Sequence, residues 1–262
     1  MCSAQHADFA APEAPCKILM NAREFDLNST HQDAQRIYDD IQAHYPEEAQ
    51  LLQQLLRKNQ AYTAVLPEFL RAYYLLIAGF QAKHRLFLCG NGGSFADAMH
   101  ISGELLKSFK RRRSLSQADK MVFSQSEYGD ILAESLEYGL PCTVLGLNHA
   151  LFSAVQNDCK VESIQYAQEL YALGAKGDML LAISTSGNAL NVLYALATAK
   201  VLGVKTIGLT GHMGGKLAQY AEIVIKAPET STESIQEHHI VLYHALCALL
   251  ELRFFPPDKL SR

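Results

Sequence analysis

Residues 85–104 read RLFLCGNGGSFADAMHISGE. RLFLC is a short, almost wholly apolar run of the kind that a strand covered on both faces requires. The chain then passes through Gly90, Asn91, Gly92 and Gly93, where glycine permits tight turning and close approach of a ligand to the backbone. A helix is expected to follow, with Ser94 as its N-cap and Asp97 completing a capping box three residues on. Free N–H groups at such a helix start suit a phosphate or sugar hydroxyls, although an ordinary glycine-rich turn has the same appearance. His100 and Glu104 are four apart and share a face of that helix. They can supply a general base and acid, two metal ligands, or simply a surface contact, and their spacing does not choose among these.

The texture of strand, turn and helix recurs. Cys142–Leu147 (CTVLGL), Met179–Ser184 (MLLAIS), Thr206–Thr210 (TIGLT) and Ile223–Ala227 (IVIKA) are further short apolar runs, separated for the most part by helical patterns. The expected fold class is α/β: a doubly wound five-stranded parallel sheet flanked by helices, spanning residues 85–256. MLLAIS runs into Ser184, Thr185, Ser186, Gly187 and Asn188, placing three hydroxyls where another helix opens. In a parallel sheet both loops fall at the carboxyl edge, where such folds bind ligands. Neither loop is GxxxxGK[ST] or GxGxxG, which disfavours a nucleotide.

Outside this core, residues 1–30 lack periodicity and are expected to be a variable tail. Residues 31–84 form an N-terminal helical lead-in, packing on the core and on an oligomer interface. Pro46 interrupts the first helical pattern, and a second helix is expected from about Ala61 to Lys83. A helix from about Thr232 to Arg253 is apolar around most of its circumference and must be buried, within the chain or between subunits. It carries Gln236 and His244, eight apart and not far from one face, while His238 and His239 are expected to be surface or packing residues. Residues 108–141 are a long connection with one short helix expected near Tyr128–Tyr138; such lengths are usually functional or mobile.

Composition narrows the function classes. The 262 residues carry a formal charge of −4, which argues against a nucleic-acid partner even though Lys110–Arg113 is a basic run. The six cysteines include no CxxC pair, so neither a disulfide framework nor a cysteine zinc site is suggested, and Cys89 is expected to be a buried thiol. No basic region followed by an apolar core opens the chain, and no run approaches ~20 uninterrupted apolar residues, so a cytoplasmic protein with no membrane partner is expected.

Together, CGNGGSFADAMHISGEL, QND at 156–158, AISTSGNALNV at 182–192, LTGHMGGKLA at 209–218 and SIQEHHIVLYH at 234–244 resemble the SIS (sugar isomerase) domain. More narrowly they resemble bacterial phosphoheptose isomerases, over about residues 60–255. The resemblance implies that Asn91, Gly92, Gly93, Ser94, Asn157, Asp158 and Gln236 contact a sugar-phosphate substrate and that Ser184, Thr185 and Ser186 hold its phosphate. It implies Glu104 and His244 as catalytic groups, and one zinc per subunit on His100, Glu104, Gln236 and His244. It further implies conversion of sedoheptulose 7-phosphate to D-glycero-D-manno-heptose 7-phosphate in a homotetramer. Three features depart from the family: Ala189 replaces a usual phosphate-contacting Ser, the 108–141 connection is longer, and the N-terminal extension has no counterpart. Two alternatives accompany this reading, an isomerase for another sugar phosphate and a non-catalytic relative that binds the replication initiator protein. Those relatives lack the carboxylate and histidine that stand here at Glu104 and His244.

Overall fold

The computed structural model describes residues 31–256; the expected tail over residues 1–30 lies outside them. The lead-in comprises α1 (His31–His44), α2 (Pro46–Lys58) and α3 (Tyr62–Gln81). Pro46 does not simply break a helix. It occupies the first turn of α2, where its missing N–H costs nothing. The core follows as β1 (Leu86–Cys89), α4 (Gly93–Leu106), α5 (Gln117–Phe123), α6 (Gly129–Ser135), β2 (Cys142–Val144), α7 (His149–Asp158), α8 (Gln165–Leu173) and β3 (Met179–Ser184). It closes with α9 (Leu190–Leu202), β4 (Lys205–Thr210), α10 (Leu217–Tyr220), β5 (Ile223–Lys226) and α11 (Thr232–Phe254).

All strand pairs are parallel, in the order β2-β1-β3-β4-β5. β1 and β3 are neighbours although β2 intervenes in sequence, so the strand order reverses between them. That switch point is where a doubly wound sheet leaves a crevice at its carboxyl edge. The strands alternate their side chains between two apolar layers, as strands covered on both faces must. Leu86, Leu88, Leu181, Ile183, Ile207 and Leu209 join the layer of α3, α4 and α11. Phe87, Cys89, Leu180 and Ala182 join that of α8 and α9.

The apolar circumference of α11 is consumed inside the chain, where it packs on α2, α3, α4 and β4 and buries Leu242, Tyr243 and Ala245 through Leu250. An interface between subunits is not required to explain it. α3 has the length and mean hydropathy of a membrane span, yet most of it is buried in this core, so it is a core helix. The lead-in is locked to α11 by polar contacts as well: Arg253 donates to both oxygens of the buried Glu48 at 2.8 and 2.7 Å, and the Tyr73 hydroxyl donates to Glu48 at 2.9 Å.

Three expectations are revised. β2 ends at Val144, because Gly146 turns the chain with φ +95°. Residues 108–141 hold two short helices, α5 and α6, instead of one. Ser94 does not cap α4: Gly92, at φ +54°, takes the N-cap position, and Ser94 is buried in the first turn. A glycine with positive φ lets the helix begin earlier than a serine cap would.

The basic run Lys110–Arg113 is largely consumed within the fold. Arg111 pairs with Glu47 at 2.7 Å, Arg112 donates to the Glu134 carbonyl at 2.6 Å, and Arg113 is fully buried against Glu251 at 2.9 Å.

Candidate active site

The loops that leave β1 and β3 are tied together at the switch point. Asn91 Nδ2 donates to Asn191 Oδ1 and Asn191 Nδ2 donates to Asn91 Oδ1, both at 2.8 Å. Beneath them the Tyr166 hydroxyl of α8 donates to the Gly90 carbonyl. In the second loop Gly187 N–H donates to the Ser184 carbonyl at 3.1 Å, and Ser186 Oγ accepts from Asn188 N–H at 3.2 Å. Ser184 is buried, Thr185 half-buried and Ser186 exposed, which steps the three residues from the sheet out to solvent. Among the described residues the Ser184 and Thr185 hydroxyls have no hydrogen bond to the protein. α9 opens on Ala189 with no cap from that residue's side chain; Val192 N–H donates to Asn191 Oδ1 at 3.0 Å, which leaves the N–H groups of Leu190 and Asn191 to meet an anion.

A second group of residues lies where α4 and α11 pack. His100 Nε2 is 3.0 Å from Glu104 Oε1 and 3.4 Å from His244 Nε2. Suitable ligand atoms of all three lie within 4.8 Å of one another. The other His100 nitrogen, Nδ1, is 2.9 Å from the Tyr243 hydroxyl. Burial pulls the His244 imidazole below the ordinary histidine range, and the nearby His100 adds to this. The Phe109 ring covers one side of His244, with centroids 5.4 Å apart.

The donor chemistry fits a divalent metal. Two imidazoles and a carboxylate are the protein set of many catalytic zinc sites, in which bonds of 2.0–2.1 Å put neighbouring donor atoms about 3.3 Å apart. The separations of 3.0 and 3.4 Å bracket that value. Nothing in the donor set selects zinc over another first-row metal.

The structure distributes the remaining sequence-derived residues unevenly. The Gln236 amide lies over Gly93, where an added Cβ would meet its Nε2 at 2.2 Å. Gly93 precedes His100 by seven residues, about two helical turns, so the amide sits beside the first loop and apart from the three converged ligands. Asn157 and Asp158 end α7, exposed, with Asn157 Nδ2 donating to Asp158 Oδ1 at 2.9 Å. Among the described residues no hydrogen bond joins them to the His100 group. His239 is buried and its imidazole is pulled down to about 4, chiefly by burial, so it is a neutral packing residue.

Sequence reasoning missed Asp97 as anything but a cap, and missed Tyr243, Phe109, Asn191 and Arg113. Asp97 was within reach of the pattern, since it lies three residues before His100 on the same helix face. The others depend on which segments meet in three dimensions.

Gly93→Ala is expected to displace the Gln236 side chain while α4 and α11 keep their packing. The clash is with the end of a flexible side chain, so stability should change by no more than about 1 kcal/mol. KM for a sugar phosphate should rise several-fold, and steady-state kinetics beside a thermal melt would check both.

Residues 157–249 match the model of the SIS domain. The chain is 38% identical over 184 residues to a phosphoheptose isomerase of Mycobacterium tuberculosis (strain ATCC 25177 / H37Ra), a match spanning 70% of this chain and 81% of that protein. It is 37% identical over 176 residues to a phosphoheptose isomerase of Aneurinibacillus thermoaerophilus, covering 67% of this chain and 76% of the relative. Among solved structures, the phosphoheptose isomerase of Francisella tularensis superposes with a TM-score of 0.60 at 27% identity, covering 81% of this chain and 96% of that one. That of Neisseria gonorrhoeae gives 0.58 at 26% identity, covering 81% and 97%.

Proposed function

This chain belongs to the phosphoheptose isomerase family of SIS-domain proteins, and we propose that it converts sedoheptulose 7-phosphate to D-glycero-D-manno-heptose 7-phosphate, a heptose precursor for surface polysaccharide. The observation that carries this reading is the convergence of Glu104, His100 and His244 where α11 packs on α4, the helix that leaves the first of two linked loops suited to a sugar phosphate. The phosphate sits at the start of α9, against the Ser184, Thr185 and Ser186 hydroxyls and the free N–H groups, where the helix dipole favours an anion. Ala189 supplies no hydroxyl there, so backbone donors carry more of the phosphate contact. Asn91, Gly92, Gly93, Ser94 and Gln236 receive sugar hydroxyls along the first loop, and Asn157 and Asp158 contact the substrate from the end of α7, Asp158 at a hydroxyl.

Aldose–ketose isomerisation moves a proton between C1 and C2 through an enediol. Glu104 Oε1 faces His100, which leaves Oε2 as the oxygen that takes the C1 proton and returns it to C2. His244, neutral because burial lowers its proton affinity, moves the proton between O2 and O1. Phe109 shields His244 from water on one side. His100, Glu104 and His244 would hold the metal, and the Gln236 amide would have to turn away from Gly93 toward them to serve as a fourth ligand; zinc is the family's ion. When bound, a divalent ion supplies Lewis-acid stabilisation of the developing enediolate.

A homotetramer and a cytoplasmic location belong to the same reading. Exposed apolar side chains on and around α5 and α6, among them Met121, Tyr128 and Ile131, support association of copies. A solution mass four times the 29.0 kDa chain would establish it. A panel of five-, six- and seven-carbon ketose phosphates tests the substrate: the heptose should give the highest kcat/KM, and a preference for a shorter sugar would favour the other isomerase reading.

Metal binding should weaken as pH falls. Protons compete with metal for neutral imidazole, starting near the ~6.5 of free histidine. Since burial lowers the His244 value, its competition begins below that point. A titration with Zn²⁺ should show constant affinity above about pH 7 and a progressive loss toward pH 5; affinity that does not vary across this window would remove the histidines from the ligand set.

A further inference from the structure

We propose that Tyr243 is a positioning residue: its hydroxyl, oriented by Asp97, accepts the Nδ1 proton of His100 and so leaves Nε2 of His100 an unprotonated donor facing Glu104 and His244. This rests on the reading above, in which those three residues hold a metal beside the reacting carbons.

Three observations carry it. The Tyr243 hydroxyl is 2.9 Å from His100 Nδ1. The Asp97 carboxylate, one turn before His100 on α4, lies beside the same hydroxyl, and its Oδ2 is buried with no hydrogen-bond partner among the described residues. His100 Nε2 meets the Glu104 oxygen at 3.0 Å and His244 Nε2 at 3.4 Å.

Two proton arrangements are open to this chain of groups. In one, the Tyr243 hydroxyl donates to His100 Nδ1, and Nε2–H donates to Glu104. The buried Oδ2 of the half-buried Asp97 carboxylate is then left without a donor, which is costly for a buried acceptor. In the other, Tyr243 donates to Asp97 and accepts from Nδ1–H of His100, so the buried Asp97 oxygen gains a donor while Glu104, whose side chain keeps some exposure to water, gives up that of His100. Nε2 of His100 and Oε1 of Glu104 then present lone pairs to one small space beside His244 Nε2, and a cation between them, or a proton on His244 Nε2, relieves their repulsion. Carboxylate-backed histidine ligands set their tautomer in this manner, and here the carboxylate acts through a phenol. Tyr243 is 2% exposed, so its ring is also part of the core, and Phe preserves that packing.

Tyr243→Phe tests the assignment. ¹⁵N spectra of the histidine-labelled, metal-free protein at pH 8, with His100 identified by His100→Gln, should show the Nδ1–H tautomer in the wild type and a shift toward Nε2–H in Tyr243→Phe. Co²⁺ affinity, read from its visible absorption, should fall about 10- to 100-fold. The thermal midpoint should stay within 2 °C, and kcat should fall with KM within twofold. Retention of the Nδ1–H tautomer, or Co²⁺ affinity within twofold of wild type, would overturn the proposal. A wild type that fails to isomerise a heptose phosphate while the tautomer and Co²⁺ shifts occur would sink the isomerase reading alone and would support the role of Tyr243.

Discussion

Glu104→Gln should give a folded protein whose kcat is lower by about 10²- to 10⁴-fold, the usual contribution of a positioned general base. The amide keeps the size of the side chain and can still meet His100 Nε2, which now lies 3.0 Å from Oε1. It cannot take a proton from carbon. Because Glu104 is also a proposed ligand, metal content must be measured on the same sample. Loss of turnover with metal retained isolates the base. Loss of both assigns Glu104 to the ligand set and leaves its proton transfer to be separated by supplying excess metal. An active variant would remove Glu104 from the chemistry.

Arg113→Met should be the most destabilising single change in the 108–141 connection. Arg113 is fully buried; its Nε donates to Glu251 at 2.9 Å, and its terminal nitrogens donate to the Leu105 carbonyl at 2.7 Å and the Glu104 carbonyl at 2.9 Å. Glu251 also accepts from the backbone N–H groups of Phe109, Lys110 and Arg111, at 2.9, 2.9 and 3.2 Å. Removing the arginine leaves a buried carboxylate without its countercharge, at a cost of about 3–5 kcal/mol. For a chain of this size the thermal midpoint should fall on the order of 10 °C. Glu251→Leu added to Arg113→Met should restore only part of the loss, because three backbone donors lose their acceptor. A midpoint within 2 °C of wild type in the single variant would contradict this account of the clamp.

The same clamp shows where sequence patterns stop being informative. KRRR looks like a solvated basic run because its partners, Glu47, Glu134, Glu137 and Glu251, are scattered through the chain. Only the return of α11 past the end of α4 makes Arg113 a core residue. The strands were legible for the opposite reason: burial on both faces writes itself locally as an apolar run, and β3 coincides with MLLAIS. β2 was overextended because Leu145 is buried like a strand residue while Gly146 has already turned the chain. α5 was missed because QADKMVF has no buried residue and hence no periodicity to detect. At the site, His100 and Glu104 share a face through local spacing, and His244 joins them through the packing of α4 on α11. The spacing of Gln236 and His244 gave no hint that the amide would lie over Gly93. Tyr243 could not be separated from the apolar residues around it until its hydroxyl was placed beside His100.

The central claim is that this chain moves a proton between C1 and C2 of a heptose phosphate. Incubating the metal-loaded protein with sedoheptulose 7-phosphate in D₂O and following the sugar by NMR tests it most directly. The account predicts an aldose 7-phosphate carrying deuterium at C2 wherever the Glu104 proton exchanges with solvent before its return, and no such product with Glu104→Gln. Sedoheptulose 7-phosphate that is neither consumed nor labelled, at protein concentrations sufficient to bind it, would contradict the account.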